Sequence, residues 1–187
     1  MHLKFSALLI CSIAMVLTGC VTHISPTAQT NPPPTERFGN FNHFDLASID
    51  MPAEYDGDNN NQRALRKIQL NLVTGLLPKL EGWENRAVAA RTLKIEPRIV
   101  KIKFVSIGDR VMFGSMSGSS AVLIKVRYSD AATGKVIAEP EFYQRSGATT
   151  HGFGVSDNLM LDSIANLIVR YTANNYSSAV GGPVSAP

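Results

Sequence analysis

Apolar residues recur with three different spacings along the chain, and each spacing predicts a different kind of element. Phe5 to Leu17 is an unbroken uncharged run. From about Asn61 to Leu80 the spacing becomes three and four, with Leu65, Ile68, Leu72 and Leu76 in line and Val73 and Leu80 widening the stripe. Arg63, Arg66, Lys67 and Asn71 fall on the other side, so the pattern is that of an amphipathic helix. Pro78 and Gly82 are expected to end it. Gly75 in its interior costs about 1 kcal/mol relative to Ala, which suggests close packing at that point.

From Thr92 the period falls to two. Leu93, Ile95, Pro97 and Ile99 share one face, and Ile102 and Phe104 continue on the opposite parity. A bulge near Val100 would reconcile the halves. Ser119 to Tyr128 is the clearest strand, with Val122, Ile124, Val126 and Tyr128 on one side. Asp130-Ala131-Ala132-Thr133-Gly134 suits a short hairpin turn with glycine in a left-handed position, and Lys135 to Tyr143 reads as the returning strand. A last helix starts near Ser156, with Asp157 in its first turn and Met160, Ile164, Leu167, Ile168 and Tyr171 as its buried stripe. Upstream, Phe41, Phe44, Leu46 and Ile49 begin the fold as a first strand, and Pro52 to Asn61 is a polar loop.

The order is strand, helix, three strands, helix. The expected fold is α+β: one two-layer domain with an antiparallel sheet of about four strands and both helices on one face. The domain spans residues 38–178. Residues 1–19 are a signal peptide, 20–37 a Pro-rich tether carrying Pro32-Pro33-Pro34, and 179–187 a flexible tail.

The first segment has the parts of a secretory signal: a basic start at Lys4, then an apolar run shorter than the roughly 20 residues that span a bilayer. It ends in Leu17-Thr18-Gly19-Cys20, which resembles the lipobox of bacterial lipoproteins. The resemblance implies cleavage between Gly19 and Cys20, a diacylglycerol thioether on Cys20 and an acylated amine. At roughly 0.8 kcal/mol per buried CH2, several such chains form a durable anchor. Val21, where Asp would favour inner-membrane retention, implies by the same analogy an outer-membrane lipoprotein facing the periplasm. Cys11 leaves with the signal and Cys20 is consumed by lipid, so no disulfide is expected. With 18 Lys and Arg against 15 Asp and Glu, the charge excess gives no case for nucleic acid.

Candidate chemistry is sparse. Ser106 to Ser119 carries Val111, Met112, Phe113 and Met116 among glycines, a candidate loop for docking a partner or lipid, weighed against a hairpin tip folded on the sheet. Its Gly114-Ser115-Met116-Ser117-Gly118 places Met116 where a hydrolase elbow needs its nucleophile. His23, His43 and His151 have no second ligand at a metal-binding spacing, so no metal or other cofactor is expected. Pairing of His151 with Asp157 is conceivable in three dimensions, but nothing selects it. Lys101, Lys103, Lys125 and Arg127, with Glu139 and Glu141 on the return strand, form a charged sheet face. Pairing Ser129 with Lys135 would set Lys125 opposite Glu139. Cross-strand ion pairs explain such a face, and an anionic polysaccharide or lipid A is the alternative partner. Trp83 either stacks on a sugar or caps the core.

Two stretches carry a family resemblance. Ser119 to Ala138, with Leu93-Lys94-Ile95-Glu96-Pro97 before it and Ala179-Val180-Gly181-Gly182-Pro183 after it, is similar to a family of uncharacterised proteobacterial lipoproteins, over roughly residues 41–183. That family implies no known activity. More distantly, the element order resembles small α+β periplasmic lipoproteins that bind partners, such as activators of penicillin-binding proteins. The expected function is a non-catalytic envelope lipoprotein that binds an envelope protein or cell-wall component. An enzyme acting on an envelope polymer or lipid, and a carrier of an apolar ligand, are the alternatives.

Overall fold

The computed structural model describes residues 24–85, 91–105, 119–146 and 155–186. Its elements, in chain order, are β1 (Thr30–Asn31), a 3-10 turn (Phe38–Asn40), β2 (His43–Leu46), α1 (Ala53–Asp56), α2 (Asn59–Trp83), β3 (Thr92–Lys103), β4 (Ala121–Asp130), β5 (Val136–Ala138), β6 (Glu141–Arg145), α3 (Val155–Ser177) and β7 (Gly182–Pro183). The main sheet runs β2-β3-β4-β5, and β6 also pairs with β4. The chain forms an α+β domain, as its periodicity predicts.

The sheet is not wholly antiparallel: β2 runs parallel to β3, with Phe44 beside Leu93 and Leu46 beside Ile95. The α2 crossover accounts for this, because a helix between adjacent strands returns the chain to the end where it started. Pairing continues past β2, where Asp50 N donates to the Pro97 carbonyl at 3.0 Å and Ile99 N to that of Asp50 at 2.8 Å. The predicted bulge is present: the β3–β4 register shifts between Ile99 and Lys101. Val100 there packs toward Ala121, Leu123 and Ile24, away from the main core.

Helix α2 is longer than its pattern predicts. Asp58 caps it, its Oδ1 accepting from Asn60 N at 2.7 Å and Asn61 N at 3.0 Å. Pro78 does not end it; the helix continues to Trp83. Proline removes a single donor, and the stripe ending at the buried Leu80 still packs against the core. A Cβ on Gly75 would lie 3.0 Å from Val169 Cγ2, so this glycine is where α2 and α3 approach closely. Within the α1–α2 region the expected polar loop includes the short α1.

The core joins the helix stripes to one sheet face. Ile68, Leu72 and Leu76 meet Val122, Ile124, Val126 and Tyr128 from β4, with Ile164 and Ile168 from α3. Phe38 stacks on Tyr128 with ring centroids 4.6 Å apart, and Phe142 meets Tyr171 edge-on at 5.6 Å. The Tyr128 hydroxyl lies 2.7 Å from Thr172 Oγ1, which donates to the Ile168 carbonyl at 2.8 Å. Thr172 has one proton, so Tyr128 is the donor between them.

Both ends of the described residues depart from expectation. The segment 24–37, read as a tether, lies along the β5–β6 edge. Ile24 is buried, and β1 pairs antiparallel with β7. Asn31 is a two-way clamp: its Nδ2 donates to the Glu141 carbonyl and its Oδ1 accepts from Glu141 N, both at 2.8 Å. The tail read as flexible is equally tied down. Asn175 accepts from Val180 N and Gly181 N and donates to the Gly181 carbonyl, while Val184 is buried. Proline-rich composition signals an extended backbone, and here an extended backbone serves as an edge strap.

Candidate functional site

The sheet has a second face, turned away from the helices, and its rows follow from the register. Glu96 lies opposite Arg127, Arg98 opposite Lys125, Lys101 opposite Leu123, and Lys103 opposite Ala121. On the far side of β4, Ala121 pairs with Arg145 and Lys125 with Glu141. The basic cluster predicted from strand parity therefore does assemble, and it gains Arg98 and Arg145. A trough of about 660 Å3 opens at the Arg98, Lys125 and Arg127 end of it, lined also by Asp50, Glu96 and Glu139.

The carboxylates are not arranged as the sequence suggests. Lys125 sits opposite Glu141, not Glu139, because the returning strand breaks at Glu139-Pro140 and the register shifts between Tyr128 and Ser129. Ser129 pairs with Val136, not Lys135. Glu141 is itself buried and serves the strap, one carboxylate oxygen accepting from Thr27 N at 2.7 Å and Thr27 Oγ1 at 3.3 Å. Glu96 is engaged by Lys94 Nζ at 3.3 Å, and Asp50 by Arg98 Nε at 3.1 Å in an exposed pair. Arg98 faces Lys125 directly, a like-charge placement that the Asp50 carboxylate on Arg98 offsets.

A second polar centre lies at the other end of the sheet. Arg91 holds Glu36 in a two-pronged pair, at 2.7 and 2.9 Å, and its Nε lies 3.0 Å from Asp130. Its guanidinium stands 4.2 Å from the Phe41 ring centroid. The Arg91 hydrogen bond drives the Glu36 carboxyl down to about 2, against desolvation. Burial pushes the Asp130 carboxyl up, but the Thr133 and Ala132 amides and Arg91 outweigh it, so it too lies below its usual value. Asp130 also shapes the β4–β5 turn, where Gly134 takes the left-handed φ of 70° that its position predicts. This centre ties strap, turn and sheet together. Nothing in the sequence pattern marks Arg91 as its hub.

The remaining candidates divide between structure and undescribed regions. Trp83 stacks on Tyr176 at 4.1 Å and meets Phe44 edge-on at 5.9 Å, which commits one ring face to the protein. His43 lies on β2 with Nδ1 3.9 Å from Glu84 Oε1. Gly19, Cys20, His23, His151 and the loop residues Val111, Met112, Phe113 and Met116 lie outside the described residues. The base of that loop is held by Val105 N donating to Ser120 Oγ at 3.1 Å. Among the described residues, no group of three His, Cys, Asp or Glu is placed to hold a metal, and no helix is long and apolar enough to cross a membrane.

No family model matches the chain, and no curated protein does. Several solved structures are similar in fold. PelC from Paraburkholderia phytofirmans, solved as a dodecamer, is 16% identical with a TM-score of 0.39, the alignment covering 73% of this chain and 92% of that one. A Xanthomonas campestris protein of family DUF330 is 8% identical with a TM-score of 0.43, covering 82% and 96%. A minor lipoprotein from Acinetobacter baumannii is 13% identical with a TM-score of 0.30, covering 72% and 95%. The likeness concerns the fold alone.

Proposed function

We propose that this chain is a lipid-anchored envelope lipoprotein, held in the outer membrane through Cys20, whose periplasmic domain works by binding and not by catalysis. The observation that carries this reading is the division of the sheet. One face is packed against both helices; the other is covered at one end by Ile24 and, further along, carries Arg98, Lys125 and Arg127 around a shallow trough. The concavity carries Arg98, Lys125 and Arg127 together with Asp50, Glu96 and Glu139. With Asp50 held by Arg98 and Glu96 by Lys94, it presents Lys125 and Arg127 to an extended anionic partner, such as an acidic polysaccharide or an acidic protein surface. The lipobox-like Leu17-Thr18-Gly19-Cys20 supplies the anchor.

Two measurements test the reading. Cys20→Ser should abolish palmitate labelling and release the product from membranes; a variant that still fractionates with membranes sinks the anchor. A photo-crosslinking residue placed at Arg127 should capture an envelope component in intact cells, while one at Arg66 on α2 should not. Equal capture at both positions, or turnover of an envelope substrate by the purified chain, overturns the binding assignment.

A further inference from the structure

The basic end of the outer sheet face lies beside the place where the lipid-bearing segment enters the fold. Ile24 is buried against Ala121 and Leu123, with Val100 and Tyr143 packed around it. These residues occupy the rows that hold Lys101, Lys103 and Arg145: Lys103 and Arg145 flank Ala121 from either side, and Lys101 lies opposite Leu123. Lys101 and Arg145 are exposed, and Lys103 is half-buried.

Chain length then limits where this end can be. Cys20 precedes Ile24 by four residues, and at 3.3–3.6 Å per residue the fully extended connection spans at most about 14 Å. A free tether reaching from residue 20 to residue 37 would let the domain drift and rotate freely. The observed strap does not, because Thr27, Asn31 and Thr35 bond to Glu141 and Ile137 along the sheet edge. Lys and Arg side chains extend several ångströms beyond their backbone, and charges act on a membrane surface within a Debye length of about 8–10 Å. With the anchor that short, these three cations come within range of the headgroups.

Resting on the lipoprotein reading, we infer that Lys101, Lys103 and Arg145 form a membrane-contacting patch that binds the anionic headgroups of the bilayer entered by the chain's own lipid. The patch fixes the domain's orientation, with this end of the sheet down and helix α2 away from the membrane. Arg98, Lys125 and Arg127, further along the face, stay available to a periplasmic partner.

The test uses the full lipidated chain, inserted in vesicles of phosphatidylcholine alone or of phosphatidylcholine with phosphatidylglycerol. A membrane-impermeant amine reagent is applied, and labelling is read by mass spectrometry. On the anionic vesicles Lys101 and Lys103 should react about fivefold more slowly than on the neutral ones. High salt should erase the difference, Arg145→Glu should reduce it, and Lys79 on α2 should react equally on both. Equal rates for Lys101 and Lys103 on the two vesicles, or equal protection of Lys79, overturns the inference. The mass of the Cys20 peptide reads the anchor separately. Acyl groups without protection refute the patch alone. Protection without acyl groups refutes the lipoprotein reading and leaves the patch standing on its charge, whereas loss of both refutes both.

Discussion

The Arg91 side chain joins three partners that are distant in sequence, Glu36, Phe41 and Asp130, so its effect on stability should depend on pH in a definite direction. Glu36 titrates from 4.5 in the free carboxyl down to about 2 in the fold, chiefly through its Arg91 hydrogen bond. A folded value below the unfolded one means the contribution is present in full above about 4.5 and fades as pH falls toward 2. Arg91→Met should lower stability by about 1–2 kcal/mol at pH 7, a figure reduced by the guanidinium's partial exposure. Urea titrations of wild type and variant should converge between pH 4.5 and 2. A gap that persists at pH 2 would assign the effect to packing on Phe41 instead. Tyr128→Phe is a simpler case, since it removes the donor to buried Thr172 Oγ1 and should cost about 1 kcal/mol. At this scale the sequence displays little. Tyr128 reads as one more inward residue of a strand, and Arg91 falls between a helix and a strand with no pattern around it, because the partners of both are set by tertiary placement.

Elements were far more legible, because burial imposes its period on the sequence directly. The α2 stripe, the bulge at Val100, the Gly134 turn and the α3 stripe all follow from the spacing of apolar residues and glycines. Errors arose where a local breaker was outweighed by packing, as at Pro78, or where a strand changed partners, as at Pro140. Parallel pairing of β2 had no local signal either; it depends on where α2 delivers the chain. Gly75 offers a test of helix–helix approach. Gly75→Ala alone should gain little or lose stability, since its methyl would meet Val169 Cγ2 at 3.0 Å. In a Val169→Ala background the same change should recover the helix-propensity gain of about 1 kcal/mol. A double-mutant cycle on thermal unfolding reads the coupling, and strict additivity would mean the helices do not touch there.

For the whole molecule, the feature that changes most between sequence and structure is the chain's two ends. Low hydrophobicity and clustered prolines read as a linker, because composition reports whether a segment can form a core of its own and not whether it can lie on someone else's. Residues 24–36 contribute two buried apolar side chains, Ile24 and Pro34, and a row of backbone bonds, and Asn31 is where the two ends meet: its side chain bonds both polar groups of the Glu141 backbone, and its own backbone pairs with Gly182. Gly181, at φ 74°, turns the C-terminal chain so closely that a Cβ would lie 2.4 Å from the Asn31 carbonyl oxygen. Loss of the Asn31 side chain leaves the buried Glu141 N–H and C=O unpaired, at a cost of about 1–3 kcal/mol, but it removes nothing from the helix–sheet core. Asn31→Ala should therefore leave β4 and α3 protected in hydrogen exchange while amides of Gln29 to Thr35 and of Val184 exchange much faster. Uniform acceleration across the sheet would instead make the strap part of the cooperative fold, and unchanged exchange at Val184 would mean the two ends are held independently. The expected pattern, loosened ends on an intact core, makes the strap a separable device; under the lipoprotein function proposed above, its strength, and not its length, would decide how far the sheet can stand from the membrane.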